Sequence, residues 1–521
     1  MKIFVSCILF VLCASCSSVV KNDSKPNIIY ILADDLGYGD LSCLNSESKI
    51  KTPHLDRLAA EGMYFTDAHS GSSVCTPTRY GIVTGRYAWR SRLKKGVLGG
   101  ASNHLINTNR LTVAGLLKKE GYHTAMIGKW HLGWDFKFKE SGASDGIGFN
   151  PGKQIIDYSG KVENGPDANG FDYYYGHCGS LDMAPYVYIE NGKVTAAPNR
   201  ITENKDSKGY WRKGPTGSDF EHIDVLPNFV NRACRYIDDR AGSGKPFFLY
   251  LPLPAPHTPI LPIDKFKGKS GTNEYGDFVQ QVDWHVSQIM ETLKKNGIKD
   301  NTIVIFTSDN GCSPRADFKE LAAIGHNPSY KFRGHKADIY EGGHRVPFIV
   351  HWPAKVKAGT ISNQTTCLTD LMATAADING AKVPDNAAED SVSILPALLG
   401  QKINGSLREA TVHHSINGSF ALRKENWKLV LCPGSGGWSS PRPNDAFKQK
   451  LPLIQLFDLN SDPGETKNLY KSNPEKVKEL YTLLKKYVED GRSTAGGAQK
   501  NEGSTPFTPK GFEAIAQELG L

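Results

Sequence analysis

The sequence lacks the features that mark several common classes of protein. Among the seven cysteines after residue 16, no two are spaced as CxxC, so nothing predicts a structural zinc site. The chain has a net charge of +8, but its lysines and arginines are dispersed and form no long basic run. This pattern argues against a nucleic-acid partner and indicates a mildly basic surface suited to anionic ligands. Beyond the N-terminus, no apolar run approaches the ~20 residues that a membrane-spanning helix needs.

The first residues are typical of an export signal. Met1-Lys2 is a short positive segment, residues 3–12 are apolar, and small residues precede Cys16. We therefore predict a signal peptide over residues 1–16, with Cys16 acylated as in a bacterial lipoprotein. Ordinary cleavage near Ser15 or Ser17 is the alternative. Either outcome predicts an exported protein, periplasmic or anchored to the outer membrane of a bacterium.

Two apolar segments end in pairs of oxygen-bearing side chains. Residues 27–33 are followed by Asp34-Asp35, and residues 302–308 by Asp309-Asn310. Continuous apolar runs of this length predict strands buried on both faces, as in a parallel sheet. Open α/β sheets bind ligands at the carboxyl ends of such strands. Adjacent acids repel one another, so the pattern favours a hard cation such as Ca²⁺, although a solvated turn is the alternative for either pair alone.

The segment Ser73 to Arg86 carries the most informative motif. It reads SVCTPTRYGIVTGR, with Cys75 immediately before a predicted helix whose first turn tolerates Pro77. Free N–H groups at a helix N-terminus favour negative charge, and Arg79, four residues on, projects from the same helix face. Of the seven cysteines after residue 16, an odd number, we predict that Cys75 is the one without a partner. A buried structural cysteine is the alternative.

Three further segments place basic side chains close to predicted strands. Lys129 and His131 follow a strand over residues 124–128 and would face the same side of an extended chain. His257 stands between prolines after a strand over residues 246–251. Lys336 lies in the segment RGHK, which precedes another strand. Together these groups predict an anion site with titratable partners.

These motifs resemble the signature of the type I sulfatases, which is Cys/Ser-x-Pro-x-Arg followed by Thr-Gly-Arg. Gly-Lys-Trp-His-Leu-Gly around Lys129 matches the same family residue for residue. The resemblance extends from about Asn27 to the C-terminus. It implies an alkaline-phosphatase-like α/β fold, with a large mixed, mostly parallel sheet flanked by helices, and a small C-terminal α+β domain with an antiparallel sheet. We expect a catalytic domain over residues 24–400 and a C-terminal subdomain and tail over residues 401–521.

The resemblance also implies a mechanism. A maturase would convert Cys75 to Cα-formylglycine, whose hydrate attacks the sulfur of a sulfate ester. Asp34, Asp35, Asp309 and Asn310, with the modified residue 75, would hold one Ca²⁺. Lys129 and Lys336 would bind sulfate oxygens, and Arg79 would steady the hydrate. His257 would protonate the leaving oxygen, and His131 would accept a proton when sulfate is expelled.

Residues 150–218 are rich in Gly, Tyr and Asp and show poor periodicity, so we predict irregular substrate loops there. Asp172, His177 and His222 are the candidates for sugar contacts, with local packing as the alternative for each. The expected substrate is a galactose or N-acetylgalactosamine sulfate from mucin, a glycosaminoglycan or an algal galactan, with the 6-O position as the first choice.

Two other functions compete with this interpretation. One is a phosphodiesterase or phosphonate hydrolase of the same superfamily, although most of those carry paired metals with extra Asp and His ligands. The other is a glycan-binding lipoprotein without turnover. An intact Cys75 motif argues against the second, because a pure binder has no use for it.

Overall fold

The computed structural model describes residues 25–139 and 156–520. The predicted signal peptide, including Cys16, lies outside the described residues. The strands are β1 Asn27–Ala33, β2 Met63–Phe65, β3 Ala68–His69, β4 His123–Lys129, β5 Tyr173–His177, β6 Ile189–Glu190, β7 Lys193–Val194, β8 Pro198–Asn204, β9 Trp211–Gly217, β10 Phe247–Pro252, β11 Thr302–Ser308, β12 Phe348–His351, β13 Thr360–Ser362, β14 Thr366–Cys367, β15 Thr411–His414, β16 Phe420–Lys424, β17 Trp427–Val430 and β18 Gln455–Asp458.

The helices alternate with these strands through most of the chain. They are α1 Pro53–Ala60, α2 Cys75–Thr84, α3 Val113–Lys119, α4 Val225–Ala241, α5 Glu274–Lys295, α6 Phe318–Ala323, α7 Glu341–His344, α8 Leu371–Asn379, α9 Leu395–Leu398, α10 Pro443–Lys448, α11 Pro474–Glu489 and α12 Phe512–Leu519. Within the described ranges, no helix combines the length and apolar composition needed to cross a bilayer.

A ten-stranded sheet forms the centre of the molecule. Its order is β13-β2-β12-β11-β1-β10-β4-β5-β6-β7. The central strands β11, β1, β10, β4 and β5 run parallel, whereas β12 and β6 pair antiparallel to their neighbours. In β1, Ile28 and Tyr30 pack into the core on one face of the sheet and Ile29 and Ile31 into the core on the other. Burial on both faces explains why β1 is apolar without alternation.

A second sheet lies in the C-terminal part of the chain. Its four antiparallel strands follow the order β15-β16-β17-β18. Helix α11 covers it, with Val477, Leu480 and Leu484 in the same core as Val412 and Leu422. The two sheets together confirm the predicted fold class, a mostly parallel α/β sheet with helices and a smaller antiparallel α+β unit.

The prediction for residues 150–218 was partly wrong. Tyr173–His177 is β5 of the central sheet and pairs in parallel with β4, with His177 opposite Lys129. β8 and β9 form a separate antiparallel ribbon. The Tyr-rich segment shows no clean alternation because both faces of β5 are covered, with Tyr174 and Tyr175 in different cores.

The C-terminal sheet holds the segment before α2. The backbone N–H of Ser73 and the hydroxyl of Ser72 both donate to the carbonyl of His414 at the end of β15, at 3.0 and 2.9 Å. The backbone N–H of Ala337 donates to the Ser73 carbonyl at 2.8 Å. The loop that leads to Cys75 is therefore fixed by hydrogen bonds from both parts of the chain.

Three buried histidines, His69, His344 and His413, pack where the two sheets meet. The rings of His344 and His413 stack with their centroids 3.7 Å apart, and the Nδ1 atoms of His69 and His344 are 3.1 Å apart. Burial lowers the pKa of all three, that of His69 to about 4. Asp67 and Arg423 contact His69.

The three histidines lie close enough together to suggest a metal site. Their hydrogen bonds, their ring stacking and a neighbouring cation argue against metal binding. Each ring nitrogen already has a hydrogen-bonding partner, and stacked rings cannot both direct lone pairs at one ion. The ammonium of Lys428 lies 2.9 Å from Nε2 of His344 and pairs with Glu341 and Glu465. A cation at this position repels a metal ion, so we interpret the cluster as structural packing of neutral histidines.

The histidine cluster predicts that acid destabilises the fold. Below the ordinary histidine pKa of 6.5, the unfolded chain takes up protons that the folded cluster excludes, so stability is lost as pH falls from 6.5 towards 4. Each such histidine costs about 1.4 kcal/mol per pH unit in that window. We expect the urea midpoint to be lower at pH 5 than at pH 7, and His69→Gln to reduce this difference. His123→Gln, at the half-buried start of β4, is the control; equal pH dependence in all three proteins would contradict the assignment.

Candidate functional site

The carboxyl ends of β1, β4, β10 and β11 meet at one edge of the central sheet, and polar side chains follow each strand. Asp34 and Asp35 follow β1. Asp309 and Asn310 follow β11, which pairs in parallel with β1. Backbone bonds link these ends, because Asp34 N–H donates to the Ala255 carbonyl and Asp309 N–H to the Ala33 carbonyl. The four side chains are buried. Asn310 Nδ2 donates to Asp35 Oδ1 at 2.7 Å.

Three cations neutralise the three carboxylates. Arg79 donates from Nε and Nη2 to Asp309 at 3.1 and 2.7 Å, and from Nη1 to the Lys129 carbonyl. Lys129 Nζ lies 2.5 Å from Asp34, and Lys336 Nζ lies 2.7 Å from Asp35. All six charges are buried, which is tolerable only because each is paired.

The pKa shifts in this cluster follow from burial and from the neighbouring charges. Burial opposes the charge of Asp34, but the neighbouring cations, Lys129 first among them, together outweigh it and hold the pKa of Asp34 well below its usual range. Burial and repulsion from Asp34 raise the pKa of Asp309 to about 7. Burial opposes the charge of Lys336, but the neighbouring acidic groups, Asp35 first among them, together outweigh it and raise the pKa of Lys336.

Cys75 is the first residue of α2 and lies inside this charged cluster. Its Sγ is 3.7 Å from Nζ of Lys336. Burial raises the pKa of the thiol to about 12, although Lys129 and Lys336 oppose the shift. An unmodified Cys75 is therefore a neutral thiol at physiological pH and a weak nucleophile, because the thiolate is the reactive form.

Two histidines adjoin the cluster. Nε2 of His257 lies 3.6 Å from Asp35, and burial followed by Lys336 lowers its pKa. His131 is buried, and its Nε2 lies 2.8 Å from the Leu98 carbonyl, so this nitrogen carries the proton. The other nitrogen, Nδ1, has no hydrogen-bond partner and is available as an acceptor. The backbone of His131 has a φ of 53°, so the extended geometry assumed for Lys129 and His131 was wrong.

The oxygen atoms at the strand ends fit a hard metal ion. Asp34 Oδ1 and Asn310 Oδ1 are buried and accept no hydrogen bond. Ligand atoms of Asp34, Asp35, Cys75 and His257 lie within 4.8 Å of one another. Carboxylate and amide oxygens are the donors that Ca²⁺ prefers, and a cation among them would relieve the repulsion between Asp34 and Asp309.

The three residues predicted to contact the sugar lie in three different surroundings. Asp172 precedes β5 at the opposite edge of the sheet, where it pairs with Lys118 at 2.6 Å and with Thr124, and these contacts favour the packing alternative for this residue over a sugar contact. His177 ends β5 beside Lys129 and stacks on Phe229, with Nε2 buried and unpartnered.

His222 packs in an aromatic cluster beside the ribbon of β8 and β9. Its ring stacks on Trp211 with centroids 4.0 Å apart and contacts Tyr186 edge-on. Burial lowers its pKa to about 4. These contacts favour the packing alternative for this residue over a sugar contact.

A cavity of about 720 Å³ opens onto Cys75, His257 and Lys336. The sequence interpretation missed Ser180, whose Oγ bridges Lys129 at 3.1 Å and His257 at 3.3 Å. It also missed Arg212, which lines the cavity in an ion pair with Asp182. Recognising β5 as a strand would have indicated Ser180, because that residue follows its carboxyl end.

The ion pair between Arg79 and Asp309 predicts a large stability effect. Arg79→Ala leaves a buried carboxylate without its partner, which costs about 3–5 kcal/mol in the free energy of unfolding. Denaturant titration measures this loss. Arg345→Ala is a matched control, because it breaks a buried ion pair with Glu341 outside the cluster. If Arg79→Ala costs less than about 1 kcal/mol, the pairing does not support the fold.

The chain matches two family models and is similar to several known proteins. The sequence profile of the family described as "Sulfatase" matches residues 26–381, and that of "N-sulphoglucosamine sulphohydrolase, C-terminal" matches residues 334–494. The chain is 36% identical over 509 residues to an N-acetylgalactosamine-6-O-sulfatase of Bacteroides thetaiotaomicron, covering 89% of this chain and 93% of that protein.

Solved structures show the same fold. One from Bacteroides thetaiotaomicron, described with the metabolism of multiple glycosaminoglycans, is 34% identical with a TM-score of 0.76 and covers 89% of this chain and 99% of its own. The phosphonate monoester hydrolase of Agrobacterium radiobacter is 18% identical with a TM-score of 0.55, covering 88% of this chain and 95% of its own, which is a likeness of fold alone.

Proposed function

The chain belongs to the sulfatase family and hydrolyses sulfate esters of carbohydrates, and we propose that its substrate is N-acetylgalactosamine or galactose carrying a 6-O-sulfate. The curated relative named for N-acetylgalactosamine 6-O-sulfate supports this choice. The observation that carries the proposal is the position of Cys75 between Lys336 and the strand-end carboxylates, at the cavity wall.

We propose that Cys75 acts after conversion to Cα-formylglycine by a maturase. The buried neutral thiol is a weak nucleophile, whereas the hydrate of an aldehyde offers two hydroxyls at the same position. Arg79 lies four residues along the same helix face and is locked to Asp309, so its role is to fix the position of this residue and of the carboxylates around it.

The remaining charges bind the sulfate group. Lys129 and Lys336 place ammonium groups on either side of the strand ends, where they neutralise the spread charge of the sulfate oxygens. Asp34, Asp35, Asp309 and Asn310 would hold Ca²⁺, which supplies Lewis-acid polarisation of the ester when bound.

Two histidines move protons in this proposal. His257 lines the cavity and contacts Ser180, so it is placed to donate a proton to the leaving sugar oxygen. Its pKa is low in the free site, and the negative charge of a bound sulfate raises it towards the protonated form. Nδ1 of His131 is the free acceptor that takes a proton from position 75 when sulfate departs.

The phosphoester alternative shares the fold but differs in its requirements. Enzymes of that class generally hold two metals, whereas the oxygen donors described here form one cluster with lysines beside it.

We also propose export through the signal peptide of residues 1–16, with a lipid anchor at Cys16.

Turnover tests the proposed reaction directly. We expect sulfate release from N-acetylgalactosamine 6-sulfate to exceed phosphate release from the matched phosphate ester by at least about 100-fold in kcat/KM, a difference of about 2.7 kcal/mol. Cys75→Ala should abolish it, and the peptide that contains residue 75 should be about 18 Da lighter than the thiol form. Full conversion of residue 75 with faster phosphate release would overturn the assignment.

Calcium binding tests the metal ligands without requiring turnover. After chelation, added Ca²⁺ should raise the melting temperature of the unaltered protein, because an ion that binds only the folded state stabilises it. Asp35→Asn should abolish most of this shift. Asp67→Asn, a buried carboxylate outside the cluster, should leave it intact. An equal shift in all three proteins would show that Ca²⁺ binds elsewhere.

A further inference from the structure

The cavity is larger than the reacting groups require. Its volume of about 720 Å³ lies well within the range of about 300–1,000 Å³ that encloses ligands larger than one sugar ring. Among its lining residues in the described chain, Cys75, His257 and Lys336 belong to the reacting cluster. Most of the others lie beyond it, and they include aromatic and cationic side chains.

Trp438 is the first of these groups. It lies in the loop after β17 of the C-terminal sheet, lines the cavity, and keeps 38% of its surface exposed. The backbone N–H groups of Trp438 and Ser439 donate to Oδ1 of Asp338 at 2.8 and 3.0 Å, and Oδ2 of Asp338 accepts from His335 N–H. The loop is therefore tied to the segment that carries Lys336, which holds the backbone of Trp438 beside the wall of the cavity.

An exposed tryptophan at a cavity wall is suited to stacking on a sugar. The face of an indole ring carries negative charge and attracts the C–H groups on one face of a pyranose. Here the exposed ring lines the cavity and the backbone of Trp438 is tethered, so the indole offers a stacking surface for a sugar.

Arg315 is the second group. Its guanidinium carbon lies 5.2 Å from the ring centroid of Tyr210, and its Nη1 donates to the Ser207 carbonyl at 3.3 Å. Both residues line the cavity, as does the exposed Lys319. Asp317, a lining carboxylate two residues along the chain from Arg315, accepts the N–H of Glu320 as a helix cap. This part of the wall therefore carries net positive charge.

We propose that the cavity contains a subsite for a second sugar, which stacks on Trp438 and carries an anionic group that pairs with Arg315. The inference rests on the proposed function and extends it. The substrate is then an oligosaccharide in which the sulfated amino sugar adjoins an acidic sugar such as a uronate. Arginine favours such a group because its planar fork matches the geometry of a carboxylate.

Steady-state kinetics on matched substrates tests this subsite. The substrates are N-acetylgalactosamine 6-sulfate, its disaccharides with glucuronate in either linkage order, and the same disaccharides with the carboxylate reduced to the alcohol. We expect Trp438→Ala to lower kcat/KM for the best disaccharide about tenfold and to change that for the monosaccharide less than twofold. Trp438→Phe, which keeps an aromatic ring, should retain most of the activity.

The contribution of the positive charge of Arg315 is tested with a separate variant. Arg315→Gln should lower kcat/KM about fivefold for the uronate disaccharide and leave the carboxyl-reduced one unchanged. Lys402→Gln, an exposed lysine outside the cavity, is the control. Equal losses on the monosaccharide and the disaccharide, or no loss on either, would overturn the subsite.

Calorimetric binding separates this inference from the proposed function. Cys75→Ala protein is titrated with the same disaccharides, alone and combined with Trp438→Ala. Weaker binding of the disaccharide, but not of the monosaccharide, in the combined variant supports the subsite even if the enzyme releases no sulfate. Identical affinities in both proteins contradict it, whatever the turnover.

Discussion

Three buried carboxylates and three buried cations meet at one edge of the central sheet, and the pairing among them constrains the rest of the structure. The members are Asp34, Asp35, Asp309, Arg79, Lys129 and Lys336. Removing such charges from water costs several kcal/mol per ion unless the partners are held in good geometry. The parallel strands β1, β4 and β11 supply that geometry, because their ends lie side by side and their register is fixed by packing on both faces of the sheet.

The charged cluster also explains why the cysteine at its centre is unreactive as a thiol. A buried thiolate would add a fourth negative charge to an already balanced group, and burial raises its pKa. A neutral aldehyde hydrate at the same position avoids that cost. The pairing that stabilises the fold therefore favours a nucleophile that stays uncharged until substrate binds.

The C-terminal sheet supports the site by a hydrogen-bonded contact and by one residue that lines the cavity. The carbonyl of His414 accepts hydrogen bonds from Ser72 and Ser73, which sets the loop before Cys75. The same sheet carries Trp438 to the cavity wall. The neutral histidines beneath this contact fill the boundary between the two sheets without introducing a charge that would need a partner. The chemistry thus depends on two packed units, although most of the reacting side chains come from the first.

Several features of the site could be predicted from local sequence because they depend on strand ends. An apolar run that stops at two acids specifies a buried strand and a polar edge, and the bounds predicted for β11 and nearly those for β10 match the structure. The position of Asp172 at the start of β5 could not be predicted, because β5 had not been recognised as a strand. A strand that reads Tyr-Tyr-Tyr has no period that distinguishes it from a packed loop, so neither its existence nor its ends could be inferred.

The sequence by itself determined the fold class, the strand-end acids and the motif around Cys75, because each depends on residues close together in the chain. Only the tertiary structure decided which side chains share the cavity. Arg212, Arg315 and Trp438 line the cavity, and Ser180 contacts Lys129 and His257 beside it; nothing in the local sequence of these four segments indicates that they meet. Their proximity results from the order of strands in the sheet and from the packing of the C-terminal unit against it, which depend on long-range burial rather than on local pattern.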